Sequence, residues 1–261
     1  MKSIPEQLSS EQNHARTSTP ADTRGRMLYG TSGKWISAVL IGMAMASSGA
    51  AVSAAEVARI IAAPAADNGK TRAPLETAVF AGGCFWGIQG MFEHVRGVRK
   101  VVSGYSGGDQ ATASYEVVSS GKTAHAESVQ ITFDPVEVSY GELLHMFFSV
   151  AHDPTQLNRQ TPDTGPQYRS AIFTTSESQK TIAQSYILQL NKARAFPQEI
   201  VTVVGPFKAF YPAEDYHQDF LIKNPNYPYI VRFDLPKIEN LKKTFPKNYQ
   251  EKPAALSSAT S

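Results

Sequence analysis

One cysteine occurs in 261 residues, and it stands in Gly82-Gly83-Cys84-Phe85-Trp86-Gly87, directly after the apolar run Ala78-Val79-Phe80-Ala81. The run reads as a buried strand. Ile88, Met91, Phe92 and Val95 then fall on one face of a helix. Cys84 is therefore expected at a strand-to-helix turn, close to a helix N-terminus. Unpaired backbone N–H groups there favour a thiolate, the nucleophilic form, over a thiol. The paired glycines permit a tight turn and let a substrate approach the sulfur. Phe85 and Trp86 supply apolar walls beside it. The competing reading is an inert core thiol, since free cysteines are often buried.

The remaining elements decide what can surround that turn. Residues 100–105 read as a strand entering the loop Ser106-Gly107-Gly108, and 116–120 as a short polar-apolar segment. Ser128 to Phe133 alternates as a half-buried strand ended by Asp134-Pro135. Ser139 with Glu142 has a capping-box pattern, and Leu143, Leu144, Phe147 and Phe148 give the helix that follows an apolar face. A long loop is expected over 153–165, a strand over 170–174, and a long helix from Ser176 and Gln179 to about Ala195. A strand over 200–204 and a short helix over 214–223 complete the reading. Strands and helices interleave without a dinucleotide-binding glycine fingerprint. The fold class is therefore α+β, a two-layer sandwich rather than a doubly wound sheet.

Composition is that of an ordinary globular protein, 42% hydrophobic and 18% charged, with no excess that signals disorder. Residues 1–54 carry five Lys and Arg against three acids, which leaves the rest balanced at 20 and 20. A neutral body has no electrostatic footprint for nucleic acid. Arg24, Arg26 and Lys34 precede an apolar stretch from Trp35 to Ala46, followed by small residues up to Ala54 and Ala55. This is the pattern of a secretory signal peptide, and export, to a periplasm, is expected with cleavage near Ala54. A retained membrane anchor is the alternative, for which the stretch is short and rich in Ala, Ser and Gly. The polar stretch before Met27 is long for such a segment, so translation from Met27 stays open. The expected layout is a signal region 1–54, a linker 55–75, a catalytic domain 76–246 and a flexible tail 247–261. A lone thiol in an exported chain cannot form an internal disulfide and is a candidate for reactivity.

The body carries further motifs in order: Gly104-Tyr105-Ser106-Gly107-Gly108, His125-Ala126-Glu127, His152-Asp153-Pro154, Gln167-Tyr168-Arg169-Ser170 and Ala213-Glu214-Asp215-Tyr216-His217-Gln218. Together with Gly83-Cys84-Phe85-Trp86-Gly87 they resemble the A-type peptide methionine sulfoxide reductases, over about Glu76 to Phe245. The resemblance implies an α+β fold, a two-layer α/β plait (a ferredoxin-like sandwich) with a mixed sheet, and reduction of the S epimer of methionine sulfoxide, free or in oxidised proteins. Cys84 would be the nucleophile and Glu127 the proton donor. Tyr115 and Tyr168 would hold the sulfoxide oxygen, Phe85 and Trp86 would cage the methyl group, and Asp163 and His217 would line the substrate site. No metal or other cofactor is implied. Ala124 and Thr161 replace glycines of the commoner pattern, and the second cysteine that many relatives place near the C-terminus is absent. The reductant would then be an external thiol, thioredoxin-like, glutaredoxin-like or small, acting on a monomer.

The chemistry is consistent with these residue types. A sulfoxide has a polarised S–O bond but a poor leaving group, so attack on sulfur needs a thiolate and an acid that protonates oxygen. An apolar pocket would keep Glu127 protonated near neutral pH, and tyrosine hydroxyls can donate to the oxygen. Each residue also has a duller reading. Glu127 starts a strand and could lie on the surface, and the tyrosines could be core-edge aromatics. His125, His152 and His217 lack metal-ligand spacing, and His217 reads best as a hydrogen-bonding residue. Three rival functions stay open: a thiol peroxidase, which lacks a nearby cation here; a non-catalytic aromatic pocket; and a cysteine hydrolase, which lacks a partnering histidine motif.

Overall fold

A computed structural model of the chain describes residues 57–255. The expected signal region 1–54 and its cleavage site lie outside the described residues. In chain order the elements are β1 (Glu76–Gly82), α1 (Phe85–Glu93), β2 (Val98–Ser106), α2 (Tyr115–Val118), β3 (Ala126–Phe133) and α3 (Tyr140–Met146). Then come β4 (Arg159–Gln160), β5 (Asp163–Thr164), β6 (Ser170–Thr174), α4 (Glu177–Lys192), β7 (Val203–Pro206), β8 (Phe210–Pro212), α5 (Phe220–Lys223) and α6 (Leu235–Thr244).

Six strands form one sheet in the order β7-β6-β1-β3-β2-β8. Every pairing is antiparallel except β6 with β7, so the sheet is mixed, as the resemblance implies. Period-two alternation gives each central strand a helix-facing set: Ala78 and Phe80 in β1, Val101 and Tyr105 in β2, and Val129, Ile131 and Phe133 in β3. These pack against Ile88, Met91 and Phe92 of α1, Leu143 and Leu144 of α3, and Ile182, Ala183 and Tyr186 of α4 in one core. On the opposite face the strands' own Ala81, Ala126, Ala171 and Phe173 form a small separate cluster. The result is two layers.

Local expectations hold where a cap or clean alternation specified them. Ser139 and Glu142 form the full capping box, and the Ser176 side chain accepts from Gln179 N–H. Three details differ. The expected strand 200–204 pairs only from Val203, because the earlier backbone is engaged elsewhere: Ile200 N–H by Asn191 and Val201 N–H by the Pro154 carbonyl. The expected helix 214–223 is split into a 3-10 turn, Asp215–His217, and α5, because Asp219 adopts φ 53° between them. Within the loop 153–165, β4 and β5 pair as a short ribbon.

The two ends of the described region lie against the body. The stretch expected as a linker is bonded from residue 59 onward: Arg59 N–H to the Ser149 carbonyl, the Ile61 carbonyl with His145, and the Ala62 carbonyl with the Tyr186 hydroxyl. Asp67 accepts from Gly141 N–H and the Ser139 hydroxyl. In the stretch expected as a flexible tail, Gln250 and Ala254 N–H donate to the His94 and Glu93 carbonyls, and Ala255 is buried. Backbone polarity explains both differences, since small residues let main-chain groups reach partners on the body.

Candidate active site

β1 delivers the chain to Gly82, and Gly83 turns it at φ 101°, a conformation that favours glycine. A side chain at Gly83 would also collide with Gln160, 2.5 Å from where its Cβ would stand. Cys84 is the N-cap of α1, at the strand-to-helix turn that the sequence predicts, and is only 9% exposed. Its side chain makes no capping hydrogen bond, and the first N–H of α1 goes to another partner. The Phe85 N–H donates to Glu127 Oε2 at 3.1 Å.

Glu127 comes from β3, opposite Tyr105 of β2. It continues the odd-numbered face of Val129, Ile131 and Phe133, and that parity points it toward the helices rather than to solvent. At 2% exposure it is part of the interior. Burial raises its pKa to about 8, with Asp163 adding and the Phe85 N–H opposing. Near neutral pH it is a neutral acid. The surface reading of Glu127 is therefore set aside.

Cys84 behaves differently from the expectation of a thiolate. Burial pushes its thiol well above the ordinary range, and negative charge on Glu127, Asp234 and Asp163 adds to this. The Trp86 N–H opposes the shift, which is the helix N-terminus effect, but desolvation outweighs it. Helix position is visible in a sequence, whereas depth is not. The resting site pairs a thiol with a carboxylic acid.

Aromatic side chains enclose these two groups. Trp86 Nε1–H donates to His217 Nδ1 at 3.0 Å. Its ring stacks on Phe220 with centroids 3.9 Å apart and planes 12° apart, and meets Tyr229 edge-on at 6.0 Å. The rings of Phe85 and Tyr115 lie 5.0 and 4.5 Å from His217. Burial lowers the pKa of His217, favouring a neutral ring whose Nδ1 is the acceptor. Tyr115 is anchored from behind, since its N–H donates to Glu214, which also accepts from the Tyr105 hydroxyl. Tyr168 closes the 3-10 turn Pro166–Tyr168 and is half-buried. Both phenols are held protonated by burial and then by the charge of Glu127, with Cys84 and Asp163 also contributing. Asp163, half-buried in β5, accepts a hydrogen bond from the Tyr229 hydroxyl. Its pKa is raised by burial, against the pull of Tyr229 and Lys237.

All eight residues singled out from the sequence thus lie together around Cys84 and Glu127. His125 and His152 are engaged elsewhere, with the Asp109 carbonyl and with Ser170 and the Phe147 carbonyl. Sequence reasoning missed Phe220, Tyr229 and Gln160. The dense aromatic and proline run Tyr227-Pro228-Tyr229 after α5 was the available signal, but nothing local tied it to Cys84. The arrangement offers a sulfur nucleophile, a neutral acid, two phenolic donors and apolar walls. That set suits attack on a polarised centre with proton delivery to its oxygen.

Comparison with known proteins bears on the same residues. The family model for peptide methionine sulfoxide reductase matches residues 76–249. A relative named peptide methionine sulfoxide reductase MsrA 2 from Mesorhizobium japonicum is 62% identical over 185 residues, covering 71% of this chain and 95% of that protein. Its namesake in Synechocystis is 61% identical over 170 residues, covering 65% and 79%. Among solved structures, reduced Mxr1 from Saccharomyces cerevisiae is similar with a TM-score of 0.54 and 32% identity, over 62% of this chain and 94% of that one. Methionine sulfoxide reductase A of Corynebacterium diphtheriae gives 0.51 and 34%, over 60% and 80%. With the matched region spanning the sheet, the Cys84 turn and the pocket around it, the chain belongs to the peptide methionine sulfoxide reductase family and is an oxidoreductase.

Proposed function

We propose that Cys84 reduces the S epimer of methionine sulfoxide, free or within oxidised proteins, through a sulfenic acid on its own sulfur. One observation carries this reading: a buried carboxylic acid, Glu127, is fastened to the backbone of the residue after Cys84 and stays protonated near neutral pH. The thiol is the resting form, so the substrate must help to ionise it. A sulfoxide sulfur is partially positive, and seated beside Cys84 it favours the thiolate as any nearby positive charge does.

The sulfur of Cys84 attacks the sulfoxide sulfur while Glu127 supplies a proton to the oxygen, with Tyr115 and Tyr168 as further donors to it. The oxygen takes the Glu127 proton and the one that Cys84 gives up and departs as water, so the S–O bond breaks and an S–S bond to the substrate remains. Water then attacks the Cys84 sulfur, the S–S bond breaks, methionine leaves, and the proton released returns to Glu127. The cysteine keeps the oxygen of that water as a sulfenic acid, so the thiol is oxidised by two electrons and the sulfoxide reduced by two. Phe85 and Trp86 hold the methyl group, and Asp163 and His217 line the rest of the substrate site. Cys84 is the single cysteine of the chain, so no internal disulfide can form. One external thiol condenses with the sulfenic acid and releases water; a second resolves the mixed disulfide and restores Cys84. A small thiol or a thioredoxin-like or glutaredoxin-like protein has the required chemistry.

Single-turnover chemistry tests the reading. Without reductant, one equivalent of methionine per enzyme is expected, from the S epimer alone, and dimedone should then label Cys84. A Cys84–Cys84 dimer with no dimedone adduct would overturn the one-cysteine cycle.

A further inference from the structure

Directly behind the Cys84 turn lies a charged pair that the reaction above does not use. Asp234 ends a π-helical turn, Ile230–Asp234, and Lys237 lies in the first turn of α6. Both are buried, at 0% and 7% exposure, and Lys237 Nζ lies 2.9 Å from Asp234 Oδ1. The second carboxylate oxygen, Oδ2, is buried without a hydrogen-bond partner. The pair is pressed against the first turn of α1. A Cβ built on Gly87 would stand 2.0 Å from Asp234 Oδ1 and 2.9 Å from Lys237 Nζ. Gly87, the last residue of the Gly-Cys-Phe-Trp-Gly turn, is therefore the residue that lets the pair approach.

We propose that Asp234 and Lys237 are a positioning pair for the Cys84 turn, bracing the first turn of α1 through Gly87 and setting how readily Cys84 yields its proton. A buried carboxylate beside a helix N-terminus draws on the same partial positive charge that would stabilise a thiolate at Cys84. The charged and titratable groups facing Cys84 are Glu127 from β3, Asp163 from β5, Tyr115 from α2, Tyr168, Tyr229 and Asp234. Asp234 is the one among these that is tied to a cation by a buried ion pair, and Lys237 also acts on Asp163. A carboxylate this close opposes the thiolate, while its lysine limits the opposition. Breaking a buried pair on one side leaves the other charge uncompensated, so the two halves are separable by mutation.

The inference rests on reading Cys84 as the nucleophile, but its test needs no substrate, so the two can fail separately. In the full chain, the pH profile of Cys84 alkylation by iodoacetamide is measured for the parent, Asp234→Asn and the Asp234→Asn/Lys237→Met double variant. Asp234→Asn keeps the cation and removes the anion. It should lower the midpoint and speed alkylation at pH 7 by about tenfold, the equivalent of one pH unit. The double variant should lie between the parent and the single, at about threefold on the same scale. It also supplies the readout should Asp234→Asn fail to fold. The pH profile of kcat/KM should move in the same direction. An unchanged midpoint in a folded variant would make the pair purely structural and overturn the proposal, as would a midpoint moved upward.

Discussion

Helix α1 has a buried carboxyl near each end, and the two are kept neutral for different purposes. Glu127 lies under the N-terminus and accepts the Phe85 N–H, so a backbone donor stabilises its anion and its pKa rises only to about 8. Glu93 lies in the last turn of α1, where the unpaired carbonyls carry partial negative charge. Burial raises its pKa to about 9, and the neighbouring Asp219 adds to the shift. Around Glu127 stand half-buried tyrosines and Trp86, which open the acid to a substrate. Around Glu93 the polar groups close on one another. Gln89 bonds Asp219, the Ser103 hydroxyl and the Val101 carbonyl, and Gln218 bonds both Ser103 backbone groups. Protonation alone does not make a catalytic acid. Access and a nearby nucleophile do, and only the N-terminal site has both.

The largest expected effect is on turnover. Glu127→Gln should lower kcat by about 10²–10⁴-fold, the usual cost of losing a positioned acid, while Glu93→Gln stays within about threefold of the parent. Steady-state assays with methionine S-sulfoxide and dithiothreitol decide this, and equal losses in the two variants would erase the contrast. A weaker effect reads Glu93 through stability, on top of a decline of the same sign from Glu127. Folded Glu93 keeps a proton that the unfolded chain releases above its ordinary 4.5. Stability from this group is therefore full below that pH and is lost as pH rises toward about 9, by up to about 1.4 kcal/mol per pH unit. Glu93→Gln should flatten that decline in thermal melts taken between about pH 5 and 8.5. A parent-like slope would show that Glu93 is already ionised when folded.

The smallest effect concerns the wall of the open site. His217→Phe removes the acceptor of Trp86 Nε1–H, a bond worth about 1 kcal/mol, and should raise KM about fivefold with little change in kcat. A change confined to kcat would place His217 in the chemical step rather than in substrate seating.

The sequence by itself determined the turn and the order of the parts. Gly82-Gly83 after an apolar run and before a helical face made Cys84 an N-cap residue, because glycine tolerance and hydrophobic period are local properties. Alternation through Val129, Ile131 and Phe133 held the information that turns Glu127 inward, although a residue at a strand start is ambiguous until the partner strand is known. Ser139 with Glu142 marked a helix start that needed no tertiary help. What only the tertiary structure decided depends on depth and on long-range neighbours. The thiol of Cys84 is favoured over the thiolate because burial strips the sulfur of most of its water, and depth is a property of the assembled fold. Trp86 is fixed by His217, 131 residues away, and Asp163 by Tyr229, 66 residues away. Gly87 owes its size to Asp234 and Lys237, which no spacing rule connects to it. Propensity and period act over a few residues, whereas desolvation and charge act through space, and the acidities in this pocket follow the second kind of force.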